Sequence, residues 1–158
     1  MSAVLWLVVG VSLFHVFWTW AGYPVCLALL RPWLRREVRA ADIAPSLSVV
    51  IAVHDGEREL AKKLEDTLAQ DYPVRVDLIV ASDGSTDRTD EIARSFEDRG
   101  VRLVRNASRE GKEAAQAAGI AASQGEVIVF TDVSAELEAG ALRQIVRPFA
   151  DPSIGCVS

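Results

Sequence analysis

Three acidic positions in this 158-residue sequence share one setting: each stands where an apolar run gives way to a turn. Residues 47–53 (L-S-V-V-I-A-V) lead into His54-Asp55-Gly56, and residues 76–81 (V-D-L-I-V-A) lead into Ser82-Asp83-Gly84-Ser85-Thr86. Residues 126–131 (E-V-I-V-F-T) lead into Asp132. A carboxylate in such a place accepts hydrogen bonds from a base N–H or a ribose hydroxyl, and its oxygens are hard ligands for Mg²⁺ or Mn²⁺. Asp83 is the first charged side chain past its run and the candidate for the base or ribose. Asp132 is the candidate for a cation. Lys112, next to Gly111, and Arg109 supply positive charge of the kind a diphosphate requires. Aspartate is also frequent in turns and helix caps that bind nothing, and a lone Lys or Arg at a helix start is ordinarily a solvated side chain. The recurrence at three run ends therefore carries more than any one position.

These residues converge only if the apolar runs are neighbouring strands. Run 47–53 is nearly continuously apolar and rich in Val and Ile, as in a strand buried on both faces. Residues 57–70 then place Leu60, Leu64 and Leu68 on one helical face, ended by Asp71-Tyr72-Pro73. After the second run, Ser85 and Thr86 are expected to cap a helix over 87–98, which turns Ile92, Ala93 and Phe96 inward and closes at Gly100. A short strand over 101–104, an Ala-rich helix over 111–123, the third run, a helix over 137–147 stopped by Pro148, and a strand beginning in 154–157 complete the order. Alternating strands and helices with short connections predict an α/β fold with a Rossmann-like, mostly parallel sheet. In such sheets ligands bind beyond the carboxyl ends of the strands, which is where His54, Asp55, Asp83 and Asp132 fall. Neither G-x-x-x-x-G-K-[ST] nor a G-x-G-x-x-G after the first strand is present, which argues against P-loop enzymes and dinucleotide dehydrogenases. A receiver-like domain fits poorly, because its acidic pair belongs after the first strand and here the acidic turn follows the second.

The first thirty residues differ in kind. They contain no Lys, Arg, Asp or Glu, and all four tryptophans occur by Trp33. Residues 4–30 are long enough to cross a bilayer, with Trp18, Trp20, Tyr23 and Trp33 suited to its interfaces. Arg31, Arg35, Arg36 and Arg39 follow, so the positive-inside rule puts that end in the cytoplasm and the N-terminus outside. A cleaved signal peptide would need a basic start and a shorter apolar core. The expected organisation is a transmembrane anchor over 1–31, a juxtamembrane linker over 32–45 and an α/β domain over 46–158. Cys26 and Cys156 have no spacing that implies zinc or a disulfide framework. A formal net charge of −5, with no basic stripe beyond the arginine cluster, gives no sign of nucleic-acid binding.

The motifs S-V-V-I-A-V-H-D-G-E, S-D-G-S-T-D, R-E-G-K-E-A-A and F-T-D-V-S-A resemble, in order and spacing, those of family 2 glycosyltransferases with the GT-A fold. Gly22-Tyr23-Pro24 and the tail R-P-F-A-D-P-S-I-G-C-V-S look like the membrane-bound, processive or cellulose-synthase-like branch. The resemblance implies inverting transfer of a sugar from a nucleotide-diphosphate donor, commonly UDP-linked. It implies nucleotide contacts from Val53, His54, Asp55, Glu57 and Asp83, with Lys112 near the diphosphate. It places Asp132 and Ser134 at the D-x-D position beside the ribose, diphosphate and a divalent metal, Mg²⁺ or Mn²⁺. Two residues depart from the pattern. Ser134 stands where the second carboxylate is usual, a neutral and weaker oxygen ligand, and His54-Asp55 stands for the frequent Tyr-Asn pair. The family's acceptor-side base and Q-x-x-R-W motif are expected beyond Ser158, so the catalytic base has no candidate among these residues. The alternative is a non-catalytic nucleotide-binding or interaction module.

Overall fold

The computed structural model describes residues 2–34 and 36–157, which divide into two compact units meeting at Val38 and Arg39. The first unit is helical. Helix α1 spans Ala3–Phe17 and helix α2 spans Tyr23–Leu34, joined without a break by a π-helical turn, Trp18–Gly22. Pro24 explains that turn. It has no N–H to offer the Trp20 carbonyl, and its ring crowds that carbonyl, so the backbone widens by one residue. The Tyr23 N–H bonds back to Trp18 O instead. The whole run is one helix long and apolar enough to cross a membrane. It continues past the expected boundary at residue 31, and Pro32 sits inside it.

The second unit is a four-stranded parallel sheet in the order β3-β2-β1-β4, formed by β1 (Leu47–Val53), β2 (Asp77–Asp83), β3 (Val101–Asn106) and β4 (Val127–Asp132). Strand β1 is central, and its alternate side chains enter two different cores. Val49, Ile51 and Val53 face a cluster completed by Leu60 and Leu64 of α3 (Leu60–Leu68), Ala93 of α4 (Thr89–Ser95) and Leu142 and Val146 of α6 (Ala141–Val146). Val50 faces the other way, with Ile79, Ala81 and Ala115 of α5 (Lys112–Ala122). Two-sided burial is why the run over 47–53 is apolar at all but Ser48. Helix α5 lies so close to β1 that a Cβ on Gly119 would collide with the Val50 side chain. The chain runs from β1 outward to β3, then returns to place β4 on the far side of β1. The strand order reverses there, at the carboxyl-end side where ligands bind in such sheets.

The fold class agrees with the sequence reading, and several local expectations are corrected. Helix α3 begins at Leu60 rather than residue 57, because the N–H groups of Glu59 and Leu60 both bond to Gly56 O in a preceding turn. Strands β2 and β3 run two residues further than expected, since the ladder continues through Ser82–Arg105 and Asp83–Asn106. Neither Ser85 nor Thr86 caps α4; Asp87 Oδ1 accepts from the Thr89 N–H at 2.9 Å, and Ser85 Oγ is occupied elsewhere. Helix α4 ends in a 3-10 turn, Glu97–Arg99, and Gly100 closes it at φ +93°. Residues 137–140 are irregular, and α6 starts only after Gly140. Residues 154–157 form no strand: Asp151 gathers the Ser153 N–H and hydroxyl and the Ile154 N–H into a turn. Nor is 32–45 a free linker throughout. Residues from Arg39 onward belong to the second unit, where the Ala41 N–H bonds to Arg147 O and Ile43 packs on the core.

Candidate functional site

The carboxyl ends of β1, β2 and β3 are stitched together by the polar residues that follow them. Asp83 is the centre of this arrangement and only 3% exposed. Its Oδ1 accepts from Asn106 Nδ2 at 3.0 Å and from the Glu110 N–H at 2.9 Å, and its Oδ2 accepts from the Gly111 N–H at 2.8 Å. The Glu110 amide, then Asn106 and Gly111, stabilise the ionised carboxylate and hold its pKa below the ordinary aspartate value. Gly84 makes the approach possible. It sits at φ +62°, and a Cβ there would lie 2.6 Å from the backbone carbon of Ser108. A carboxylate has about four acceptor positions, so Asp83 retains one beyond the three in use.

His54 Nδ1 lies 2.8 Å from Asp83 O. A carbonyl only accepts, so Nδ1 carries the proton, and Nε2 lies 3.4 Å from Asp55 Oδ2. Asp55 adopts the left-handed conformation at φ +49°, which turns its carboxylate toward the Thr86 N–H, 2.7 Å away. That amide bond lowers the Asp55 pKa. Glu57 exchanges bonds with the same loop: its N–H donates to Asp87 Oδ2, and its Oε2 accepts from the Arg88 N–H. Asp55 and Glu57 thus both bond to the segment that leads into α4.

The crevice itself has a volume of about 210 Å³ and is lined by Ala52, Val53, His54, Asp83, Arg109 and Lys112, among others. Val53 is 4% exposed and its side chain belongs to the core, so what it offers a ligand is backbone. Lys112, the first residue of α5, reaches Asp132, the last of β4, with Nζ 2.6 Å from Oδ1. Both side chains are more than half exposed. Ser134 is exposed on the turn two residues further on. Among the described residues no three His, Cys, Asp or Glu side chains stand together as a metal cage. One carboxylate and one hydroxyl fit a hard cation that arrives with phosphate oxygens, a mode in which Mg²⁺ is commonly held.

Residues 48–158 match the sequence model of Glycosyl transferase family 2. The chain belongs to this family. Among the curated relatives of this family 2 member, the succinoglycan biosynthesis protein ExoO of Rhizobium meliloti is 29% identical over 68% of the chain and 31% of its own length. An N-acetylglucosaminyltransferase of Bradyrhizobium diazoefficiens is 29% identical over 74% of the chain and 25% of its own length. The chain thus spans about a quarter to a third of these relatives. Of solved structures, the mannosyltransferase PcManGT of Pyrobaculum calidifontis, in complex with GDP-Man and Mn²⁺, superposes with a TM-score of 0.76 at 25% identity, covering 92% of this chain and 46% of that one. Residues 1–349 of S. aureus TarS, in complex with UDP-GlcNAc, share the fold at 19% identity and a TM-score of 0.57, over 64% of this chain and 31% of that one.

Within this family 2 domain, His54, Asp83 and Lys112 line one crevice together with Val53, and Asp132 stands at its rim through Lys112. Two polar side chains bonded to residues at these strand ends escaped the sequence reading. Asn106 ends β3 in register with Asp83; the polar residue closing a Val- and Leu-bearing strand was its only signal. Lys63 lies within α3, where a charged residue among inward-facing leucines is the trace it leaves.

Proposed function

We propose that the domain binds the nucleotide-diphosphate sugar of an inverting glycosyltransferase, with UDP as the nucleotide. The observation that supports this reading is the crevice at the carboxyl ends of β1 and β2, which Asp83, His54 and Lys112 line and which Lys112 ties to Asp132 at the end of β4. Asp83 and the backbone around His54 take the base and ribose. Arg109 and Lys112 face the diphosphate, whose negative charge grows as the sugar departs. In inverting transfer the acceptor hydroxyl oxygen bonds to the anomeric carbon as the bond to the diphosphate oxygen breaks, and the hydroxyl proton passes to a base. No residue here is assigned as that base.

Asp132 and Ser134, together with the diphosphate oxygens, would hold a divalent cation, which would offset charge on the leaving group. The Mn²⁺ bound by the Pyrobaculum mannosyltransferase supports this. GDP-Man in that protein and UDP-GlcNAc in TarS make the nucleotide the first thing to measure. Residues 1–31 anchor the domain to a membrane, with residues 46–158 as its cytoplasmic glycosyltransferase portion.

The deciding experiment titrates the chain with UDP and with GDP, in EDTA and in Mn²⁺. UDP should bind more tightly than GDP, and Mn²⁺ should tighten it; by reciprocity UDP tightens Mn²⁺ by the same factor. Asp132→Asn should remove most of that coupling and leave the sheet folded. Binding of neither nucleotide would defeat the proposal, and tight Mn²⁺ binding without nucleotide would show that the ligand set is wrong.

A further inference from the structure

Lys63 lies on the inward face of α3 between Leu60, Leu64 and Thr67, and it is 3% exposed. Its Nζ donates to Thr131 Oγ1 at 2.8 Å and to Ala135 O at 2.6 Å. Those two acceptors bracket Asp132 and Ser134. The Ala135 N–H bonds back to Asp132 O at 3.1 Å, closing a four-residue turn, and Lys63 grips that turn on both sides. An apolar side chain would fill this helix position without the cost of burying an ammonium. What Lys63 adds is a fixed hold on the segment bearing the cation's ligands.

We infer that Lys63 is a positioning residue, holding the 132–134 turn in the arrangement that receives a diphosphate and its divalent cation. The inference rests on the nucleotide and cation reading given above. Burial pulls the Lys63 pKa down, opposed by the Asp66 and Asp132 carboxylates. The base side of the crevice, centred on Asp83, is held by separate hydrogen bonds. Lys63 therefore acts on the cation-dependent part of nucleotide binding alone. Neighbouring Lys62 touches the same segment differently, through an exposed ion pair with Glu136.

The test compares the intact chain with Lys63→Met, Thr131→Val and Lys62→Met by calorimetric titration of UDP in EDTA and in MnCl₂, with circular dichroism to follow the fold. In Lys63→Met the Mn²⁺ enhancement of UDP affinity should drop by about fivefold or more, the lower end of ordinary coupling between sites. UDP affinity in EDTA should stay within about twofold of the parent, a change well under 1 kcal/mol. Thr131→Val, which removes one acceptor and keeps the ammonium, should show a smaller loss of the same kind; Lys62→Met should show none. A general structural role would weaken UDP in EDTA as well, and that result overturns the inference. Full Mn²⁺ enhancement in Lys63→Met overturns it too, as does full enhancement in Thr131→Val if Lys63→Met does not fold. A parent chain without Mn²⁺ enhancement would instead defeat the reading on which the inference rests.

Discussion

Lys112 Nζ sits 2.6 Å from Asp132 Oδ1, so the sole carboxylate at the D-x-D position is paired with the chain's own ammonium. A cation brought by a diphosphate would have to displace that ammonium from Asp132, which would leave Lys112 free for the phosphate oxygens. On the proposed reading, this one side chain would disfavour metal alone and favour metal with nucleotide.

Lys112→Met separates these two effects. Exposed ion pairs contribute about 0.2–1 kcal/mol, so Mn²⁺ affinity without nucleotide should rise by at most about fivefold. UDP affinity should fall in the same variant. Electron paramagnetic resonance of free Mn²⁺ and calorimetry of UDP read the two changes; a fall in both would mean that Lys112 does not compete for Asp132.

Asp83→Ala should weaken UDP binding by roughly tenfold or more, since a charged hydrogen bond contributes about 1.5–3 kcal/mol. The loss has two routes: the remaining acceptor position on the carboxylate, and the 106–111 loop that Asp83 holds, which carries Arg109. Asn106→Ala removes one of the three bonds to Asp83 and should cost less. Equal affinity in the Asp83 variant and the parent would remove this residue from the site.

Asp77 gives the fold an acid-sensitive tie at the opposite end of the sheet. Burial pushes its pKa up, but the Arg102 guanidinium, the Ser48 hydroxyl and the Gln124 N–H outweigh it and hold the pKa below its ordinary value. A depressed folded-state pKa contributes stability that is complete above the unfolded value of about 3.9 and is lost as pH falls through the folded value. Asp77→Asn should cost about 1.5 kcal/mol at neutral pH, the lower end for a charged bond because Arg102 is 39% exposed. Urea unfolding between neutral pH and pH 3 should show a shallower acid decline in this variant.

Reporter fusions test the anchor. A fusion at Gly100 should report the cytoplasm and one ahead of Ala3 the opposite side, as the arginines after residue 30 require. A reporter at Gly100 read outside would reverse the topology.

The four strands of the sheet and the fold class were legible in the sequence because their causes are local. Two-sided burial leaves a nearly unbroken apolar run over 47–53, and the carboxyl end of the sheet leaves polar residues after each run, among them His54, Asp83 and Asp132. Tertiary structure alone decided what each polar group touches. Asp83 takes its partners from the loop after β3, Lys63 reaches Thr131 across 68 residues of chain, and Lys112 meets Asp132 because α5 and β4 both flank β1. Strand order and helix facing set those distances, and neither is written in any short window of residues. The same reason explains the expectations that changed. Whether β3 continues to Asn106 depends on a partner strand, and whether residues 154–157 join the sheet depends on the turn that Asp151 ties instead.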